Sequence, residues 1–90
     1  SNKKLAQLYK RTGKIDQAAD IWRQMTACEP VEFYAISEMA KYLEHRERDY
    51  RQAKALIEKA LAGYNKFSED EKHSLSHRLP RLNVKLKIPR

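Results

Sequence analysis

Basic side chains capable of contacting phosphate gather at the end of the chain. Residues 72–90 contain six lysines and arginines and no acidic residue, so they account for six of the seven net positive charges. Arg78, Arg81 and Lys85 are three and four positions apart, so a helix would present them as one outward-facing stripe. Such a stripe could contact nucleic-acid phosphates, because each neutralised phosphate releases counterions. The alternative is a solvated helix face whose charges complement the helix dipole.

Asp70, His73 and His77 also recur at helical spacing, and could present a carboxylate and two imidazoles to a divalent metal. The sequence contains no HExxH or CxxC motif, no serine nucleophile motif and no phosphate-binding glycine loop. Cys28 falls near a predicted helix C-terminus, where the dipole disfavours a thiolate, so we interpret it as a structural thiol. We therefore expect no catalytic residue, no metal, no cofactor and no enzymatic activity in these residues.

Helical periodicity covers most of the chain. Apolar residues recur every three or four positions in five segments, which predict helices over about residues 3–11, 15–28, 31–46, 49–64 and 68–88. Gly13 suits the first turn and Pro30 separates the second helix from the third. Ser68 and Glu71 form a capping box that opens the fifth helix, which Pro80 should bend or break.

The first two helices and the next two share one apolar pattern. In the first pair, Leu5, Leu8, Tyr9 and Thr12 predict the packed face of one helix, and Trp22 belongs to the face of the next. Ala18 aligns with Ala53 when the chain is shifted by 35 residues. A period of this length with two helices per unit is typical of helical repeat arrays.

The first unit resembles the tetratricopeptide repeat family in its Leu-Ala, Tyr, Gly, Ala, aromatic and Pro positions, which are Leu5, Ala6, Tyr9, Gly13, Ala18, Trp22 and Pro30. It departs in having Asn2 where an aromatic residue is usual. The second unit has no turn glycine and carries an extra residue in the loop 45–49. The resemblance implies an all-α fold of two antiparallel helical hairpins plus a C-terminal capping helix, wound as a right-handed array.

A narrower resemblance comes from the run Met39–Ala53 and from the Arg-Leu and Lys-Leu pairs that begin at Arg78, Arg81 and Lys85. Both are similar to the C-terminal helical region of bacterial YprB-type proteins, which are ribonuclease-H-like and exonuclease-type. The resemblance implies that a nuclease domain lies upstream, with its metal-binding acidic residues outside this sequence. We expect one domain over residues 1–90, with units at about 3–30 and 31–64 and a capping helix at about 68–88, excised from a longer protein.

The favoured function is a non-catalytic protein-interaction scaffold that binds another protein or the upstream domain of its own chain. Tyr34 and Tyr42 lie off the main apolar stripe of the third helix, so they are candidates for partner contact in the groove of a repeat array. Partial burial at helix edges is the alternative reading for both. The competing function is a weak nucleic-acid-binding appendage that uses residues 72–90, whereas an array that reads RNA base by base needs more units.

The sequence gives no indication of a membrane-bound protein. No apolar run reaches the roughly 18 residues of a transmembrane helix. The single cysteine excludes an internal disulfide and suits a reducing compartment. We therefore expect a cytoplasmic protein that does not contact a membrane.

We predict that the purified chain cleaves neither DNA nor RNA, because the sequence contains no nucleophile, base and metal-ligand constellation. The measurement is incubation with labelled single- and double-stranded substrates in Mg²⁺ or Mn²⁺. Metal-dependent cleavage that co-purifies with the chain would contradict the prediction.

Overall fold

The chain forms five α-helices in a computed structural model, which describes residues 2–27, 31–62 and 67–87. The helices are α1 (Asn2–Arg11), α2 (Ile15–Ala27), α3 (Phe33–His45), α4 (Tyr50–Ala62) and α5 (Glu69–Lys87). Each helix packs on the next one along the chain, and these residues contain no β-strand. The all-α class and the five predicted helices are therefore confirmed. The predicted roles of Cys28 and Pro30 lie outside the described residues.

The loops after α1 and α3 both need a residue with positive φ. Gly13 has φ 84°, and the next amide, Lys14 N–H, donates to the Tyr9 carbonyl at 2.7 Å. In the second loop Arg48 takes the left-handed conformation at φ 54°. A residue with a Cβ pays about 1–2 kcal/mol there, so the second turn is built at a higher conformational cost than the first.

The start of α5 is as predicted, whereas its course past proline is not. The Ser68 N–H donates to Glu71 Oε1 at 2.9 Å and the Glu71 N–H donates to Ser68 Oγ at 3.1 Å, which confirms the capping box. The predicted break near Pro80 is wrong, because α5 continues through it. A bend at that point stays a prediction. Pro80 and Ser76 are both exposed. Water can therefore hydrate the Ser76 carbonyl that loses its helical donor.

The core combines small residues where helices approach each other with large side chains that fill the space beside them. Ala6 on α1 and Ala18 on α2 are fully buried, which lets the two backbones approach closely. Trp22 on α2 is 1% exposed and belongs to the same core. Further along the chain, the buried side chains come from α3, α4 and α5 and include Ile36, Met39, Leu43, Ile57, Leu75 and Leu82.

Two expectations about apolar faces need correction. Leu5 and Leu8 were expected on the packed face of α1, but they are 42% and 49% exposed. The buried residue of α1 is instead Ala6, and Tyr9 is half-buried and packs against the core. On α5, steps of four, three and four predict one packed row of leucines, Leu75, Leu79, Leu82 and Leu86. Leu75 and Leu82 are buried and Val84 is exposed, but Leu86 is 38% exposed.

We predict that Trp22→Ala abolishes cooperative folding. Truncation of a buried aromatic side chain costs about 3–5 kcal/mol, which approaches the whole stability of a small domain. Thermal melting followed by circular dichroism measures the effect. Tyr34→Phe is the control, because it removes only the hydroxyl that accepts the Trp22 Nε1–H bond at 3.1 Å. A melting temperature of Trp22→Ala within a few degrees of wild type would show that the indole is not part of the core.

Candidate interaction site

Two glutamates of α3 form ion pairs with helices that do not directly precede or follow α3 in the chain. Consecutive helices meet mainly through apolar side chains, whereas Glu38 reaches α1 and Glu44 reaches α5 through ion pairs. Both carboxylates lie next to more than one cation. Each of these two clusters of charged side chains therefore has a glutamate of α3 at its centre.

The Glu44 carboxylate is buried beneath the basic side chains of α5. Arg81 binds it with two hydrogen bonds, from Nε to Oε1 and from Nη2 to Oε2, both at 3.0 Å. Arg78 Nη1 donates to Oε2 at 3.2 Å and Lys85 Nζ donates to Oε1 at 3.1 Å. Lys85 Nζ also lies 5.0 Å from the ring centroid of Tyr50 on α4, which is within cation–π range.

This arrangement contradicts the expected outward orientation of the basic stripe. Arg78, Arg81 and Lys85 share a face as predicted, but that face turns toward Glu44 rather than only toward solvent. The leucines that dock α5 lie beside the stripe, so docking brings the stripe against α3. The Arg81 side chain remains 50% exposed, whereas that of Arg78 is 17% exposed. Nucleic-acid binding by these residues stays a prediction.

The environment of Glu44 lowers its pKa. Burial by itself would raise the pKa of the Glu44 carboxyl, because it disfavours the charged form. Hydrogen bonds from Arg81 and Lys85, and their positive charges, outweigh that effect and bring the pKa below its ordinary value. Glu44 is thus a charged carboxylate in the folded protein at neutral pH.

Sequence reasoning missed the role of Glu44. At a helical spacing of four, the sequence offers Arg48 as a partner for Glu44, but the loop after α3 is expected to interrupt that pair. The actual partners are 34 to 41 positions away. One signal was present in the sequence: the fifth helix has an excess of basic residues. If the basic face of that helix packs against another helix, it needs an acidic partner there.

Glu38 organises a cleft on the other side of α3. Its carboxylate accepts a hydrogen bond from Lys10 Nζ at 2.7 Å and one from Lys41 Nζ at 3.4 Å. Beside these ion pairs lies a cleft of about 190 Å³. The residues that line it come from α1, α2 and α3 and from the residue after α3: Lys10, Ile15, Trp22, Glu38, Lys41, Tyr42, His45 and Arg46.

The two tyrosines proposed for partner contact have different surroundings. Tyr42 is buried and forms part of the cleft floor, and its hydroxyl donates to Asp16 Oδ1 at 2.8 Å. Burial raises the pKa of the Tyr42 hydroxyl, and its hydrogen bond with Asp16 adds to the increase. Tyr34 is half-buried, and Lys3 Nζ lies 5.1 Å from its ring centroid. Tyr42 thus lines the cleft, whereas Tyr34 lines a separate shallow depression beside Lys10 and Glu38. Contact of either tyrosine with a partner stays a prediction.

The histidines of α5 do not complete a metal site. The rings of His73 and His77 are stacked with their centroids 6.1 Å apart, and Asp70 lines the same shallow depression. Across residues 2–27, 31–62 and 67–87, no group of three or more His, Cys, Asp or Glu side chains could hold a metal ion. The metal hypothesis drawn from the spacing of these residues gains no support.

The chain is similar to the uncharacterized protein YprB of Bacillus subtilis (strain 168), with 29% identity over 83 residues. The match covers 90% of this chain and 20% of the relative, so the chain spans about a fifth of the relative's length. No protein-family model matches the chain, and no solved structure matches it. In the described part of the chain, none of the helices has the length and apolar character needed to cross a bilayer.

We predict that Glu44→Gln destabilises the protein strongly and releases α5. Removing one member of a fully buried ion pair costs about 3–5 kcal/mol. Because Arg81 is half exposed, the expected loss lies toward the lower end of that range. Glu38→Gln is the control on the same helix, because the Glu38 side chain is 12% exposed and has two half-exposed lysine partners, whereas that of Glu44 is fully buried beneath three cations. The loss in Glu38→Gln should therefore be the smaller one. Urea denaturation at pH 7 measures both variants. Equal stability losses in the two variants would contradict the prediction.

The same carboxylate should make stability depend on acid pH. Because the folded-state pKa of Glu44 is lowered, its contribution is fully present above the unfolded-state pKa of about 4.3. That contribution is lost as the pH falls through the lower folded-state pKa. The free energy of unfolding of wild type should therefore fall below about pH 4 more steeply than that of Glu44→Gln. Parallel curves for the two proteins would contradict the assignment.

Proposed function

We propose that the chain is a non-catalytic protein-interaction module, built as a tetratricopeptide-like repeat, that binds its partner in the cleft between α1 and α3. The observation that supports this best is an apolar floor with charged groups around it. Ile15, Trp22 and Tyr42 give the floor two aromatic rings and an aliphatic side chain. Aromatic side chains are enriched in the energetically dominant parts of protein interfaces.

The charges around the cleft favour a partner segment with acidic residues. Lys10 and Lys41 share the single carboxylate of Glu38, and Arg46 adds a third positive charge to the lining. Fixed charges of one sign steer partners of the opposite sign and disfavour like-charged ones. A carboxylate of the partner could replace Glu38 on Lys10, which is half exposed. We propose that the bound segment pairs such carboxylates with one apolar side chain in the cleft.

A protein-interaction module is consistent with the resemblance to the C-terminal helical region of YprB-type proteins. We propose that the chain is the C-terminal appendage of a ribonuclease-H-like nuclease in the cytoplasm, and that its partner is another protein or the upstream domain of the same chain. The similarity to about a fifth of the length of YprB supports an appendage. The catalytic acids of such a nuclease would belong to the other part of the protein.

The nucleic-acid-binding alternative has less support from the geometry. Arg78, Arg81 and Lys85 already share the Glu44 carboxylate, so phosphates would compete with a buried anion for the same groups. Three cations around one carboxylate nevertheless leave positive charge, and Arg81 is half exposed. Binding through this face would therefore be weak and strongly dependent on salt concentration.

We predict that peptides selected for binding to this chain are acidic and carry an apolar anchor. The experiment is selection from a displayed random-peptide library, followed by amide chemical-shift mapping of the best peptide on the labelled chain. Shifts should cluster at the cleft residues of α1 and α3. Arg46→Glu should weaken binding about tenfold or more, since it reverses a charge in the lining.

Arg51→Glu is the matched control, because Arg51 is exposed on α4 and does not line the cleft. It should leave the affinity unchanged apart from a small long-range electrostatic effect. Selected peptides that are basic, or shifts that cluster on α4 and α5, would contradict the cleft as the binding site. Binding of single-stranded nucleic acid that Arg81→Gln removes would favour the alternative function instead.

A further inference from the structure

The helix α1 carries an apolar surface that the fold leaves uncovered. Leu5 and Leu8 are one helical step of three apart, and their exposed fractions are 42% and 49%. Both lie on α1, whose extensive contacts within the described residues are with α2. Ala6 and Tyr9, which face the core, already make that contact. The two leucines are therefore available for a further contact.

The leucine surface is separate from the cleft between α1 and α3. The side of α1 that faces α3 is marked by Lys10, which pairs with Glu38, and by Lys3, which lies over Tyr34. At 100° per residue, Leu5 and Leu8 project from the other side of the buried Ala6–Tyr9 row. A partner could thus occupy this surface without entering the cleft.

Charge determines which partner suits this surface. α1 contains four basic residues, Lys3, Lys4, Lys10 and Arg11, and no acidic residue. Lys4 and Arg11 are four positions before and three positions after Leu8, so they flank the leucines along the helix. Two copies of this surface would bring like charges together, which costs binding energy. An acidic partner would instead meet positive charges around an apolar centre.

We propose that the surface formed by Leu5, Leu8 and Arg11, with Lys4 beside them, docks an amphipathic helix of a partner protein. The apolar side chains of that helix cover the two leucines, and a glutamate or aspartate of the helix pairs with Arg11. A helix suits the surface because an apolar row at positions three apart on α1 matches the narrow apolar stripe of a second helix. Leu5 and Leu8 do not line the cleft that defines the proposed function, whereas Arg11 lines a shallow depression that includes Lys10 and Glu38 of that cleft. The two leucines therefore distinguish this contact from binding in the cleft.

The test uses three synthetic helical peptides of about 15 residues. They share one leucine-rich face and differ only in the flanking charges, which are acidic, neutral or basic. Fluorescence anisotropy at physiological salt should show the acidic peptide binding at least about tenfold more tightly than the basic one. Arg11→Gln should weaken binding of the acidic peptide and reduce its dependence on salt.

The double variant Leu5→Gln/Leu8→Gln should weaken binding about tenfold or more, since it removes the apolar area of both side chains. The matched control is Val84→Gln, which makes the same kind of change at an apolar residue of α5 that is 61% exposed. It should leave the affinity unchanged. Because all three replaced side chains are exposed, every variant should melt within a few degrees of wild type.

Several outcomes overturn the proposal. Equal binding of the acidic and basic peptides, or an affinity that the double variant does not change, shows that the leucine surface is not the site. Loss of binding in Arg46→Glu with no loss in the double variant places the peptide in the cleft. Binding of anionic lipid vesicles, but of none of the peptides, assigns the surface to a membrane. Binding that disappears when the chain is extended to its natural reading frame shows that the surface is covered within one polypeptide.

Discussion

The ion pairs of the buried Glu44 carboxylate are the interaction on which the docking of α5 onto the rest of the fold depends. The carboxylate lies on the central helix α3 and accepts hydrogen bonds from three basic side chains of α5. The same docking buries Leu75 and Leu82 against the core. An unpaired buried carboxylate is unfavourable, so the buried position of Glu44 requires the cations of the stripe. The position of α5 is therefore specified by charge as well as by apolar burial.

Partial neutralisation of clustered positive charge also determines the properties of the exposed surfaces. Glu38 and Glu44 each neutralise only part of the positive charge gathered around them, so excess positive charge remains at the cleft and along α5. The cleft combines that charge with an apolar floor, and α1 combines it with two exposed leucines. Both surfaces are therefore suited to acidic partners with apolar side chains. Opposite charges on the partner would increase the association rate as well as the selectivity.

Local signals in the sequence predict the local structure well. The turn at Gly13 and the capping box of Ser68 and Glu71 depend on residues within a few positions of one another, and the structure contains both. The role of Glu44 could not be predicted, because its partners are more than 30 positions away and helical spacing offered a nearer one. The exposure of Leu5 and Leu8 also could not be predicted, because periodicity identifies an apolar face but not the neighbour that covers it. The left-handed turn at Arg48 also could not be predicted, because no glycine marks that position in the sequence.

The most direct test of this account is a titration of the Glu44 side-chain carboxyl carbon by NMR in the folded protein. The account predicts a midpoint below the ordinary value for glutamate, about 4.3, because Arg81 and Lys85 stabilise the charged form. A glutamate in a short unstructured peptide, titrated under the same conditions, provides the reference. A Glu44 midpoint at or above that reference would show that the carboxylate is not held by the cations of α5, and would contradict the account.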